Sequence, residues 1–285
     1  EVGLLFSNRG GEGVSTLQAK HQSSPIFVVG SPRSGTSILT WCLGQHPNIL
    51  PQEESGWMGE FAVDLGVRFR MGAFRGERSQ LEALGVDDNA FFKTFGDGIN
   101  ELILGHRSKQ EAMSRIYGAQ HPEQVNPSFG LSRSDDDPKS RWVDGTPEYS
   151  FYICGLRKLF PDAKFVHIVR DVDAVVKSMM CFKVDGRIGL VDSEQKAYEY
   201  WLGTVQACLQ AECALGPGVV YRLRYDDLLR RPAESMQSLH AFLGEPYAPA
   251  CIEPLSHRIN SSDVPADYSA TDPATDQRVV EQARH

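Results

Sequence analysis

The chain has 285 residues, enough for one large domain or two small ones, with ordinary shares of apolar (41%) and charged (23%) side chains. Its 37 acidic against 29 basic residues leave a net charge of −8, which argues against a broad nucleic-acid surface and leaves room for a local basic pocket around a small anion. No apolar run approaches the roughly 18 residues that span a bilayer, so no membrane span is expected.

Residues 1–24 are polar and glycine-rich and read as a loose leader. Ile26–Gly30 is a short apolar run rich in β-branched residues and bounded by Pro25, which predicts a buried strand. Thr36–Leu43 carries an amphipathic pattern stopped by Gly44 and Pro47, a helix. From about residue 64 to 109 the spacing is mostly helical, with Phe91, Phe92, Phe95, Ile99, Leu102 and Ile103 on one stripe. The polar stretch 108–141, with Asp135-Asp136-Asp137-Pro138, reads as an exposed loop or lid. Together 64–141 form a helical and loop insertion, expected to build an acceptor region.

Tyr149–Phe160 returns to helical spacing, and Lys164–Val169 is a second strand. Asp173–Met180 follows as a helix that Asp171 or Asp173 can cap. Ser193–Leu215 is a longer helix, Val219–Leu223 a third strand, and Pro232–Leu243 a helix with Pro at its start and Gly244 after its end. Beyond Pro254 no period stands out. Short strands alternating with helices predict one α/β domain over 25–285: a P-loop-like, mostly parallel sheet flanked by helices.

Cys42, Cys154, Cys181, Cys208, Cys213 and Cys251 are scattered without a CxxC pair, and four of them sit inside apolar patterns. Free buried thiols are the expectation, which points to a reducing, cytoplasmic setting. No His, Cys and carboxylate cluster has metal-ligand spacing, so no metal is expected.

Between the first strand and helix lies Gly30-Ser31-Pro32-Arg33-Ser34-Gly35-Thr36-Ser37. Its glycines have the spacing of a phosphate-binding P-loop. Glycine lets the backbone curl so that successive amides point inward, and the helix N-terminus adds positive partial charge. Thr36 and Ser37 add hydroxyls. The lysine that would hold the β- and γ-phosphates of ATP is replaced by Thr36, while Arg33 puts a cation inside the loop. A second anion site follows the second strand. Arg170 leaves that strand at the same sheet edge if the strands are parallel, and Ser178 lies two turns further on, within reach of one phosphate.

At these residues the sequence resembles the sulfotransferases that use 3′-phosphoadenosine-5′-phosphosulfate (PAPS), particularly the branch with tyrosylprotein sulfotransferases and many bacterial enzymes. The resemblance runs from about Pro25 to Tyr247, with the middle insertion unmatched. It implies that Arg33, Ser34, Gly35, Thr36 and Ser37 hold the 5′-phosphosulfate and that Arg170 and Ser178 hold the 3′-phosphate. Tyr225-Asp226-Asp227-Leu228 is similar to the family's Tyr-Glu-Asp-Leu segment, which adds Tyr225 to the cofactor-binding set. Glu54, of the pair Glu53-Glu54, falls on the acidic position of the family's general base, and a carboxylate there can take the acceptor's proton. Arg33 is expected to neutralise charge on the bridging oxygen.

Two departures stand out. The lysine found in many relatives before Thr-Pro is Gly145 here, and the Glu-Glu-Thr-Arg pattern of the tyrosylprotein enzymes becomes Glu53-Glu54-Ser55-Gly56. The expected acceptor is therefore a small-molecule, glycan or lipid hydroxyl, not a tyrosylprotein. The alternatives are a P-loop kinase or NTPase without its lysine, and a non-catalytic nucleotide-binding module. His46, His167, His240 and His257 read as structural, with His257 the alternative base.

Overall fold

The computed structural model describes residues 24–120, 134, 136–184, 187–257, 262–271 and 276–285. In chain order, β1 (Ile26–Val29), α1 (Thr36–Gly44) and β2 (Ile49–Gln52) are followed by the helices α2 (Trp57–Ala73), α3 (Gln80–Ala83), α4 (Asp88–Gly105) and α5 (Arg107–Gln120). Next come β3 (Arg141–Asp144), a 3₁₀ segment (Pro147–Phe151), α6 (Ile153–Leu159), β4 (Lys164–Val169) and α7 (Val172–Met180). A small antiparallel ribbon, β5 (Lys183–Val184) with β6 (Arg187–Ile188), precedes α8 (Glu194–Leu215) and β7 (Val220–Arg224). The chain then runs through α9 (Tyr225–Arg230), α10 (Pro232–Leu243), a 3₁₀ segment (Pro249–Ser256) and α11 (Gln277–Arg284).

The five longer strands form one sheet in the order β2-β3-β1-β4-β7, and every pairing is parallel. All five strands therefore deliver their carboxyl ends to one edge. Alternation along β1 sends Phe27 and Val29 to one face, with Leu50, Trp142 and Phe165, under α2, α4 and α6. Ile26 and Val28 go to the other face, with Ile49, Val143, Val166 and Ile168, under α1 and α10. Phe27 anchors its face, its ring 5.3 Å from Phe165, 5.4 Å from Trp142 and 5.7 Å from Tyr149. Burial on both faces explains why β1 is apolar throughout and why β4 is apolar at Phe165, Val166, Ile168 and Val169.

Several expectations change. Three strands become five, because β2 and β3 carry too few apolar residues to stand out. β2 contains Pro51, tolerated because β2 is an edge strand. The expected loop at 108–141 is helical to Gln120 and becomes strand at Arg141, while 121–133 and 135 lie outside the described residues. The aromatic stripe divides: Phe92 and Ile99 are buried, Phe95 and Leu102 exposed. The tail expected to lack a period ends in α11, which buries Val279, Val280 and Ala283 among α7 and α8 residues. The leader, apart from Ser24, lies outside the described residues.

Asp171 accepts from the amides of Asp173 and Ala174 and caps α7. Cys42, Cys208 and Cys251 are buried and outside any disulfide, whereas Cys154 and Cys213 are exposed. Among the described residues, no helix is long and apolar enough to cross a membrane.

Candidate active site

The loop from β1 into α1 takes backbone shapes that its residues select. Gly30 has φ 144°, and a β-carbon there would fall 2.4 Å from the Ile168 carbonyl oxygen. Gly35 has φ 103°, and a β-carbon there would fall 2.6 Å from the Tyr225 ring. Both positions need glycine, for conformation and for space. Between them Arg33 is left-handed at φ 69°. Ser150 closes the base of the loop, accepting from the Gly30 amide at 2.9 Å and donating to the Gly30 carbonyl at 3.2 Å. Among the described residues, no side chain caps the start of α1, and the buried Ser34 hydroxyl has no hydrogen-bond partner. Donors left open at a helix N-terminus are what an anion requires.

The loop borders a cavity of about 580 Å³ lined by Arg33, Gly35, Thr36, Ser37, Arg170, Ser178 and Tyr225, with Leu255, His257 and Ser262 from the C-terminal segment. Sequence reading placed the first seven of these residues in one site, and the parallel sheet does bring them together. Arg170 donates to the Arg33 carbonyl at 3.0 Å, and its guanidinium lies 4.7 Å over the Tyr225 ring. Arg33 donates through Nε to Ser178 Oγ and through a terminal nitrogen to Ser262 Oγ, each at 3.2 Å. Its guanidinium also stacks 4.2 Å over Phe182. The expectation had Arg33 facing the transferring group; here its side chain turns toward Ser178. Burial depresses its pKa, and the neighbouring Arg170 charge depresses it further, against an opposing pull from Glu54. Two guanidiniums held side by side favour an anion between them. Ser262 and Phe182 were not singled out from the sequence, since neither belongs to a periodic element that points to the loop.

At the other side of the loop Ser37 Oγ donates to Glu54 Oε1 at 3.4 Å. The Glu54 carboxylate reaches solvent, yet it stands in a concavity whose walls crowd it. That partial desolvation, followed by the Glu148 charge, pushes its pKa up to about 7, with smaller upward contributions from Asp144 and Glu53 and a downward one from Ser37. A carboxyl poised near neutrality is suited to general-base work. Two of the histidines have other partners: His46 Nε2 pairs with the Pro246 carbonyl at 2.9 Å, and His167 Nδ1 with Glu212 at 2.5 Å. His257 lines the cavity with its ring 5.7 Å from Trp41. No group of three or more potential metal ligands occurs among the described residues.

The family model described as "Sulfotransferase family" matches residues 25–249. The chain belongs to the sulfotransferase family. Among curated relatives, it is 24% identical over 245 residues to protein-tyrosine sulfotransferase 1 of Danio rerio, covering 86% of this chain and 60% of that protein. It is 24% identical over 228 residues to protein-tyrosine sulfotransferase A of Caenorhabditis elegans, covering 80% and 52%. The chain thus spans about half to two thirds of the length of the curated relatives it matches. Its fold is similar to the sulfotransferase domain of the Synechococcus PCC 7002 olefin synthase, with TM-score 0.52 and 19% identity over 92% of this chain and 94% of that one. The sulfotransferase domain from the curacin biosynthetic pathway gives TM-score 0.51 and 20% identity over 92% and 98%.

Gly145, where the sequence reading expected a lysine from the resemblance, lies in a tight space. A β-carbon at Gly145 would lie 2.1 Å from Thr40 Oγ1 and 3.4 Å from the Thr36 carbonyl. Helix α1 packs so close to the end of β3 that no side chain fits there unless Thr40 moves.

Proposed function

We propose that this chain transfers a sulfuryl group from PAPS to a hydroxyl acceptor by direct in-line displacement. The observation that carries the reading is one cavity in which an uncapped, lysine-free phosphate loop meets two guanidiniums, with a carboxyl group of raised pKa at its margin. PAPS, when bound, supplies a sulfuryl group on a phosphate leaving group. The residues fit it: Ser34, Gly35, Thr36, Ser37 and the loop amides would hold the 5′-phosphosulfate. Arg170 and Ser178 would hold the 3′-phosphate, with Arg33 alongside Ser178 and within reach of both ends through its flexible stem. Tyr225 stacks under Arg170 and closes the floor beneath Gly35. Glu54 would accept the acceptor's proton, and preorganised donors would stabilise the charge that moves to the leaving group.

The acceptor is proposed to be a small-molecule, glycan or lipid hydroxyl. Glu53, Glu54 and Glu148 put negative charge near the reacting hydroxyl, and an acidic peptide would meet repulsion there. Isothermal calorimetry tests the donor assignment. Adenosine 3′,5′-bisphosphate should bind far more tightly than AMP or ATP, and equal affinity for AMP would remove the 3′-phosphate site. Tighter binding of ATP with Mg²⁺ would favour a kinase or NTPase. Bisphosphate binding without transfer from labelled PAPS to any acceptor in a broad screen would leave a binding module.

A further inference from the structure

Among the described residues Glu54 makes one hydrogen bond, of 3.4 Å, whereas its neighbour Ser55 is gripped at both backbone and side chain. The Ser55 amide donates to Thr146 Oγ1 at 2.9 Å, and Thr146 donates its hydroxyl (2.6 Å) and its amide (2.9 Å) to Asp144 Oδ1. The Ser55 hydroxyl lies 2.7 Å from Asp144 Oδ2 and 2.5 Å from the Tyr149 hydroxyl, which in turn accepts from the Met58 amide at 3.2 Å.

One proton arrangement satisfies every bond. The Met58 amide donates to Tyr149, Tyr149 to Ser55, and Ser55 to Asp144, while a second chain runs from the Ser55 amide through Thr146 to the same carboxylate. Each donor is used once, and both chains end on an ionised Asp144. Asp144, Thr146 and Tyr149 are buried, and chains that run in one direction polarise and stiffen one another. Asp144 sits at the end of β3, in register with Phe27 of the strand that delivers the phosphate loop.

We propose that Asp144, Thr146 and Tyr149 form a clamp that holds Ser55 and so positions the Glu54 carboxylate against Ser37. The inference rests on the reading of Glu54 as base. The clamp ties the base to the same sheet edge as the phosphate loop, so donor and base keep one spacing. These are positioning residues: they act through Glu54.

A double-mutant cycle on the full chain tests this, with labelled PAPS, an alkyl alcohol acceptor from the screen, and bisphosphate affinity read in parallel. Ser55→Ala should lower kcat roughly ten- to a hundredfold, the scale of a misplaced reacting group, with the KM for PAPS and bisphosphate affinity unchanged. Ser55→Thr should restore most of it, and Tyr149→Phe should act in the same direction as Ser55→Ala. In the Glu54→Gln background, Ser55→Ala should add almost nothing, because the two changes remove one effect. Full turnover in Ser55→Ala, or an equal loss in both backgrounds, overturns the clamp. Full turnover in Glu54→Gln overturns the base assignment beneath it, and the clamp with it.

Discussion

The two ends of α1 pose the same electrostatic problem and solve it in opposite ways. At the C-terminal end the exposed carbonyls and the negative end of the helix dipole meet Lys139, whose ammonium donates to the carbonyls of Gly44 (2.8 Å), His46 (2.9 Å) and Ile49 (2.9 Å). Lys139 is almost fully buried, and burial pushes its pKa down to about 8. At the N-terminal end no described residue supplies a cap: Gly35 is left-handed, Ser34 has no hydrogen-bond partner among the described residues, and two guanidiniums stand nearby. A helix end satisfied by its own chain is structure. One left unsatisfied, beside surplus positive charge, is built for a ligand.

If this contrast is right, changes at the N-terminal end should affect chemistry and binding, and changes at the C-terminal end should affect stability. The largest effect is expected from Glu54→Gln, which keeps shape and removes the proton acceptor. Turnover with an alkyl alcohol should fall roughly 10²–10⁴-fold, while calorimetric affinity for the bisphosphate stays nearly constant. Only the ionised carboxylate is a base, so in the parent chain kcat/KM should rise with pH through about 7, the value to which burial and then Glu148 push Glu54. Glu148→Gln removes a like charge and should move that midpoint to lower pH. An unmoved midpoint would mean that the limb belongs to another group, with His257 the first to test.

Lys139→Met comes next and acts on the other end. Three buried carbonyls lose the ammonium, of which that of His46 keeps the Ile49 amide, and denaturant unfolding should show a loss of about 3 kcal/mol. The folded variant should bind the bisphosphate as the parent does. A loss of affinity without a loss of stability would erase the distinction between the two ends. A smaller change is Arg170→Ala, expected to weaken bisphosphate binding by about 1.5–3 kcal/mol, the range for a hydrogen bond to a charged group, with little effect on stability. Ser178→Ala should cost less.

The parts of this molecule that could be read in one dimension are those whose cause is local. β1 is buried on both faces and apolar throughout, β4 is apolar apart from Lys164 and His167, and the phosphate loop carries glycine at the two positions, Gly30 and Gly35, where its backbone takes a positive φ. Asp171 and Ser193 cap the helices that follow them, and Pro232 and Gly244 bound α10, because capping acts within a turn. β2 and β3 were hidden because Pro51, Arg141 and Asp144 interrupt four-residue strands whose existence depends on partners far away in sequence. α5 was hidden because its residues are mostly polar.

For the site itself, sequence alone determined the chemical inventory: hydroxyls and amides in a loop after a strand, Arg170 and Ser178 after another, and a carboxylate shortly after α1. The tertiary structure decided the arrangement. It turned Arg33 toward Ser178, set Ser262 beside them, packed the Thr40 side chain against Gly145, and raised Glu54 through burial and then through Glu148, 94 residues away in the chain. The physical reason is range. Backbone conformation and capping act over a few residues, whereas steric exclusion, desolvation and charge coupling act between whichever atoms the fold brings within a few ångströms.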